Sequence, residues 1–482
     1  MLDVRPVGYV IGLLIAALGA LMLVPMAVDL AAGDGHWRVF LECAFITVFC
    51  GGLIALACSN GLKKGLTLQQ SFLLTTGVWV ALPLFGALPM MLGAPNLSLT
   101  DAVFEAMSGM TTTGATVIVG LDHLPLGTNL WRGILHWIGG LGIVIVAMIF
   151  LPVMKVGGMQ FFRTEGFDTL GKILPRALDI SVGLIRVYLA MTIACVVAFF
   201  ALGMSGFDAV VHALSTVSTG GFSSHDASFS NYGPGLHYAA ALFMFAASLP
   251  FIRYVQLLSG SALPFWRDVQ VRAYLRWTVY AIAAITLFRV INEKTPFTSV
   301  IRDTTFNVVS VFSGTGLTSG DVTLWGSFPF VVLIVVGLIG GCTASTGCSI
   351  KVFRYLVLFE AIKTQIRRIH SPNRVIDVRL DGRIVTEDVL DSVIVMFTMF
   401  IVTIGVMAVL LSLTGLSAIT AVTAAWTSVA NIGPAYGAEV GATGAISDFP
   451  LVAKWLMVFA MLLGRLELLS VFVLFIPSFW RV

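Results

Sequence analysis

The sequence predicts an all-α membrane protein: about ten transmembrane helices and four half-helices, set as four repeated helix–half-helix–helix units behind an extra two-helix hairpin. Three observations predict it. Of 482 residues, 58% are apolar and 11% charged, whereas soluble domains carry about 25% charged residues. Four short polar segments recur in register between apolar runs. Lys and Arg crowd into alternate connections.

The apolar runs fall near 7–31, 39–59, 71–92, 132–154, 183–203, 236–260, 277–292, 328–359, 390–413 and 450–478, where roughly 20 residues cross a bilayer. A water-soluble multidomain enzyme is excluded. The first run is too long for a signal-peptide core, and Asp3 and Arg5 make a weak leader, so it reads as a retained helix. The last eight runs form four pairs, each enclosing a stretch too short and too polar to cross. The expected organisation is a hairpin over 1–66 and repeats over 67–165, 166–265, 266–375 and 376–482. Cys43, Cys50, Cys58, Cys195, Cys342 and Cys348 lie in or beside apolar runs without metal-ligand spacing, so they read as packing residues.

Basic residues set the orientation. Lys63, Lys64, Lys155, Arg163, Lys172, Arg176, Arg186, Arg267, Arg272, Arg276, Lys363, Arg367, Arg368, Arg374, Arg379 and Arg383 all fall in one set of connections. The other set holds Arg38, Lys294 and Arg302, with Arg132 and Lys454 at helix edges. Both termini are expected in the cytoplasm. The segment 360–389 is the longest and most charged inner connection and the natural docking place for a soluble partner.

The four enclosed stretches read Asp101-AVFEAMSGMTT-Thr113-Gly114, Asp208-AVVHALSTVST-Gly220-Gly221, Asp303-TTFNVVSVFSG-Thr315-Gly316 and Thr420-AVTAAWTSVAN-Ile432-Gly433. Each glycine follows its Asp or Thr by 13 residues without a gap. An Asp or Thr suits the start of a helix. Ten helix-compatible residues span about 15 Å, half a bilayer. The Thr, Ser and Gly that follow cannot stay helical, and such backbone is tolerated at membrane depth only beside a watery cavity or within protein. Glycine lets carbonyls turn inward. Four such loops on one axis make a carbonyl ring facing four helix C-termini, which replaces a cation's hydration shell. The half-helices therefore read as pore helices around a central pore. No Asp or Glu lies in 111–116, 218–223, 313–318 or 430–435, which suits a monovalent rather than a divalent cation.

The segments TTTGAT (111–116), STGGFS (218–223), SGTGLTSG (313–320) and ANIGPAYG (430–437), with MLLGRLELLSVFVLF (461–475) and the extra hairpin, resemble the Trk/Ktr/HKT superfamily of potassium transporters, in its bacterial TrkH/TrkG type. The resemblance covers essentially the whole chain. It implies potassium uptake across the bacterial inner membrane, with potassium as substrate, no cofactor in this chain and no catalytic residues. Carbonyls of Thr112, Thr113, Thr219, Gly220, Gly314, Thr315, Asn431 and Ile432, beside Gly114, Gly221, Gly316 and Gly433, are implied to coordinate dehydrated potassium. It further implies a homodimer in the lipid bilayer, one pore per protomer, working with a cytosolic nucleotide-binding Trk regulatory subunit and no nucleic acid. Pro434 directly follows the fourth glycine, so the four segments are not chemically identical.

Residues 340–349 read GGCTASTGCS, a small-residue break inside a long apolar run. The same residues suit close helix packing. The resemblance implies an intramembrane gate loop here, comprising Gly340, Gly341, Thr343, Ala344, Ser345, Thr346 and Gly347. The family has glycine at the position of Ala344 and more glycine near Cys348 and Ser349. Arg465 lies deep in the last run, where an arginine must face water or a partner. Beneath the ring it would repel cations. The alternative is a structural bond to a loop carbonyl or Glu467, and residues two apart on a helix do not face each other. His136 reads as a packed interfacial histidine and His212 as a pore-helix residue. Asp122, His123, His225 and Asp226 read as outer-loop residues, and Arg289 as a snorkelling cation.

A proton- or sodium-coupled symporter is the competing class, since such folds use broken helices and inverted repeats. Glu42, Glu105 and Glu467 are its candidate ion ligands. Repeats of two spans plus a half-helix all insert in the same orientation, which favours a fixed pore. No H-E-x-x-H, G-x-S-x-G or paired intramembrane aspartates point to an enzyme.

Overall fold

The computed structural model describes residues 3–61, 66–149, 177–293, 295–371, 373–374 and 376–480. Lys63, Lys64, Lys155, Arg163, Lys172, Arg176 and Lys294, part of the basic-residue pattern, lie outside the described residues.

The hairpin is Arg5–Ala32 and Trp37–Cys58. Its helices touch at glycines. A Cβ on Gly12 would meet the Ala55 nitrogen, and one on Gly51 the Ala16 nitrogen, so only small residues allow this approach. Buried Asp29 docks the hairpin on the first repeat. Its carboxylate accepts from the Gly127 N–H and from His36 Nδ1, and His36 Nε2 accepts from the Ala94 N–H.

Each repeat then supplies an outer helix, a short pore helix and an inner helix. The outer helices are Leu68–Leu92, Ala177–Ala201, Val269–Asn292 and Glu387–Leu413. Thr67 opens the first with a reciprocal cap, its hydroxyl taking the Gln70 N–H while Gln70 takes the Thr67 N–H. Asp268 opens the third by accepting from Gln270 and Val271. The pore helices are Leu99–Met110, Gly206–Val217, Phe297–Ser313 and Ala418–Ala430. They form the buried centre of the molecule, while leucines and phenylalanines of the outer helices face outward.

The inner helices depart from the expected continuous spans. The first runs unbroken over Leu126–Ile149. The second, Pro234–Ala247 with Phe251–Leu258, bends by 92°, and the fourth, Leu451–Arg465 with Leu469–Phe475, by 105°. The third is two helices, Ser327–Ile339 and Val352–His370, with non-helical backbone over 340–351. Pro250 lacks the N–H that would continue the second helix. Glu467 and Leu468 interrupt the fourth with φ of 58° and 48°. Seven helices among the described residues are long and apolar enough to cross a membrane, nine if each bent pair counts as one.

The charged segment 360–389 carries structure among its described residues. Val352–His370 extends into it, and Arg379–Leu380 pairs antiparallel with Arg383–Ile384. Asp381 and Gly382 turn this hairpin with φ of 52° and 78°, as a two-residue hairpin turn requires.

Candidate functional site: the glycine ring and the layer beneath it

The pore helices begin differently from the expectation. Ser98 and Ser205 are the caps, each hydroxyl accepting an N–H from Asp101 or Asp208 three residues on. The aspartates sit in the first turn, near the helix's positive end. Ser417 starts the fourth helix and is held by Glu439, while Pro296 starts the longer third.

All four pore helices end alike. The N–H of Thr113, Gly220, Thr315 and Ile432 bonds back to the carbonyl five residues earlier, at 2.9, 2.8, 2.8 and 3.1 Å. The residue before each, Thr112, Thr219, Gly314 or Asn431, is left-handed, with φ of 51°, 52°, 78° and 52°. The glycine after each, Gly114, Gly221, Gly316 or Gly433, is left-handed too, at 84°, 91°, 81° and 106°. Only glycine adopts that conformation without cost.

These loops meet in one closed ring. A Cβ on Gly114 would strike the Gly220 carbonyl oxygen, one on Gly221 the Thr315 oxygen, one on Gly316 the Ile432 oxygen, and one on Gly433 the Thr113 oxygen, all within 3.0 Å. The cycle returns to its start, so the four loops surround one axis in chain order. All twelve residues expected at the ring lie in these loops. Thr111, Thr112, Thr113, Thr315, Asn431 and Ile432 are fully buried. The Asn431 amide donates to Thr113 Oγ1 at 2.8 Å, tying the fourth loop to the first.

On one side the ring opens to a cavity of 410 Å³, lined by all four glycines and by Asp226, Asp321 and His225. His225 sits between Asp122 and Asp208. Burial alone would lower its pKa, but those two carboxylates raise it above the ordinary histidine value. The His225 hydrogen bond holds Asp122 below the usual carboxylate range. Glu439 is lowered to about 2 by the hydroxyls of Thr420 and Ser417.

On the other side lies the 340–351 segment. A Cβ on Gly314 would touch the Cys348 nitrogen at 3.4 Å. Gly347 lies against the Ser313 carbonyl, and Thr346 Oγ1 donates to Val217 at the end of the second pore helix. The residues Gly340, Gly341, Thr343, Ala344, Ser345, Thr346 and Gly347 all belong to this layer, and Gly340 and Ala344 have φ of 75° and 57°. The broken helices supply its partners. Cys342 N–H donates to Ser248 at 2.9 Å, Phe251 N–H to Ala344 at 3.0 Å, and Thr346 Oγ1 to Ala247 at 3.0 Å. Groups freed at one break thus satisfy groups freed at another, as backbone at membrane depth demands.

Arg465, 3% exposed, reaches this layer from the last inner helix. Its guanidinium donates to the carbonyls of Thr346 at 3.4 Å and Gly139 at 3.2 Å and contacts Cys348 Sγ. Glu467 is not its partner. The helix break turns Glu467 toward Lys351, at 3.0 Å, and Arg354.

Several polar residues hold positions that the sequence did not specify. Arg132 is not at a helix edge but buried, 2.8 Å from Glu105. Arg289 does not snorkel; it pairs with Glu293 at 2.8 Å and stacks on Trp325. His136 lies behind the ring, its Nδ1 on the Gly109 carbonyl and its Nε2 taking the Phe222 N–H. A usable signal existed for the ion pairs, because a carboxylate and a cation in apolar runs each need a partner.

The family described as "TrkH: Cation transport protein" matches residues 36–482. The chain is 39% identical over 414 residues to the Trk system potassium uptake protein TrkI of Halomonas elongata, covering 86% of this chain and 84% of that one. It is 35% identical to the Trk system potassium uptake protein TrkH of Escherichia coli over 99% of both chains. The crystal structure of the potassium transporter TrkH from Vibrio parahaemolyticus superposes with a TM-score of 0.90 and 31% identity over the whole of both chains. With four pore-helix repeats closed on one ring and this likeness along its full length, the chain belongs to the TrkH family of cation transport proteins.

Proposed function

We propose that this protein takes up potassium across the bacterial inner membrane, selecting it at the glycine ring. The observation that carries the reading is the closed cycle of Gly114, Gly221, Gly316 and Gly433 against the carbonyls of Gly220, Thr315, Ile432 and Thr113. Carbonyls of Thr112, Thr113, Thr219, Gly220, Gly314, Thr315, Asn431 and Ile432 take the place of water around a dehydrated cation. The pore helices aim their negative C-terminal ends at the same point. The relatives' names, which specify potassium, support the cargo.

The 340–351 segment and Arg465 form the gate. The segment obstructs the path beneath the ring, and a guanidinium in a low-dielectric setting repels a cation that approaches. Opening requires the segment to leave its partners on the second and fourth inner helices. The basic inner face, with Arg367, Arg368, Arg379 and Arg383 exposed, is where a cytosolic nucleotide-binding Trk subunit docks. The chain works as a homodimer in the bilayer with both termini in the cytoplasm. Of the three candidate ligands for a coupled ion, Glu105 and Glu467 are engaged by cations and Glu42 is exposed on the hairpin.

The test is rubidium uptake into proteoliposomes with sodium as competitor. Wild type prefers rubidium, and Gly316→Ser loses much of that preference, because its Cβ falls on the Ile432 oxygen. Equal rubidium-to-sodium ratios in the two would place selection elsewhere.

A further inference from the structure

In three repeats the residue nine positions before the ring glycine bonds to the extended segment that returns from the ring. In the first repeat it is Glu105, fully buried. Its carboxylate accepts from Thr116 Oγ1 at 2.9 and 3.1 Å and from the Val117 N–H at 2.9 Å. It also takes Arg132 Nε at 2.8 Å. Arg132 then crosses to the second repeat. Its Nη1 donates to the Ser223 carbonyl at 2.9 Å, its Nη2 to Thr116 Oγ1 at 3.3 Å, and its guanidinium lies 4.0 Å above the Phe222 ring.

The second and third repeats use neutral versions of the same contact. His212 Nε2 meets Ser223 Oγ at 2.9 Å. Asn307 donates to Ser319 Oγ at 2.7 Å. The fourth repeat has Ala424 there, and Thr423 alongside bonds to Tyr436 O at 2.6 Å. Among the described residues only the first of these contacts is an ion pair, and its Arg132 joins the first ring loop to the second.

We infer that Glu105 and Arg132 are positioning residues for cation selection, a charged clasp that fixes the separation of the first and second ring loops. The inference rests on the ring being the selective element. Stability alone accounts poorly for the pair, because well-packed apolar residues often replace a buried ion pair without loss. Geometry accounts for it better. Charge-assisted bonds are short and directional, and this pair fixes Thr116, Val117 and Ser223 just beyond Gly114 and Gly221. A ring whose carbonyls can follow a smaller ion inward discriminates less by size. The clasp is neutral overall, so it stiffens the loops without adding a net field.

The test compares rubidium-to-sodium flux ratios in proteoliposomes for Glu105→Gln, Thr116→Val and the Gly316→Ser control. Thermal unfolding confirms that each variant is folded. Glu105→Gln lowers the ratio about tenfold, equivalent to about 1.4 kcal/mol. Thr116→Val keeps the ion pair but removes the hydroxyl that both partners hold, and lowers the ratio about threefold. The double variant falls no further than Glu105→Gln, because the two share one interaction. Should Glu105→Gln fail to fold, Thr116→Val decides alone. A wild-type ratio in the folded clasp variants, with the ratio lowered in Gly316→Ser, overturns the clasp and leaves the ring standing. A wild-type ratio in all of them overturns both.

Discussion

The ring and the layer beneath it are built from the same four repeats, yet they obey opposite rules. In the ring the repeats are equivalent. The helix-end bond, the left-handed residue and the left-handed glycine recur four times. In the layer below they diverge, with one inner helix straight, two bent and one opened into a segment. Four equal carbonyl positions serve an ion held on an axis, whereas an obstruction needs only one movable piece. The repeat is kept in the ring and abandoned in the layer beneath it.

The largest effect should come from breaking the symmetric half. In Gly221→Ala the added Cβ falls on the Thr315 backbone oxygen, which cannot swing away as a side chain could. Selective rubidium uptake should drop roughly a hundredfold, the cost of about 1 Å of misplacement at a site that depends on geometry. Near-normal uptake would show that the ring tolerates distortion. Next comes the joint between the layer and the last helix. Glu467→Ala removes the carboxylate that Lys351 and Arg354 share, and breaking such a buried arrangement costs about 3–5 kcal/mol. Thermal unfolding in detergent reads this directly, and an unchanged midpoint would remove Glu467 from the support of the layer.

Arg465→Ala addresses the asymmetric half by itself. Partner-free liposomes should show about tenfold more flux for each 1.4 kcal/mol of barrier removed. Unchanged flux in folded protein would leave Arg465 as a brace for Thr346 and Gly139. The smallest effect lies in the cavity on the far side of the ring from the layer. His225 has a raised pKa, so its stabilisation is complete below the ordinary histidine value and is lost as pH rises through the raised one. Asp122 has a lowered pKa, so its share is present above the ordinary carboxylate value and is lost as pH falls through the lowered one. The pin is therefore strongest between about pH 4 and 6.5. His225→Asn should flatten the decline in unfolding temperature above neutrality, by less than about 2 °C. An identical alkaline decline would show that His225 carries no such linkage.

The sequence revealed the ring better than the layer, for a physical reason. Thirteen residues from Asp101 to Gly114 recur because the pore helix and its turn are local structure, set by short-range bonds. The opened third helix was also legible in the glycines and serines of 340–349. The bends at 248–250 and 466–468 were not, since the groups that stabilise them come from other repeats. Ala344 receives the Phe251 N–H, and Lys351 meets Glu467 from more than a hundred residues away. Glu105 was visible as a carboxylate in an apolar setting, but its bond to Arg132 depends on how two helices pack. Neither partner's role follows from local pattern.

Because one polypeptide supplies all four quadrants, any substitution enters each pore once. In a ring of four identical subunits the same change would enter four times. Single quadrants can therefore differ, as the fourth does in carrying Pro434, its Cδ 2.9 Å from where a Cβ on Gly316 would stand. Preference among cations in such a chain can be adjusted by degrees, one sector at a time.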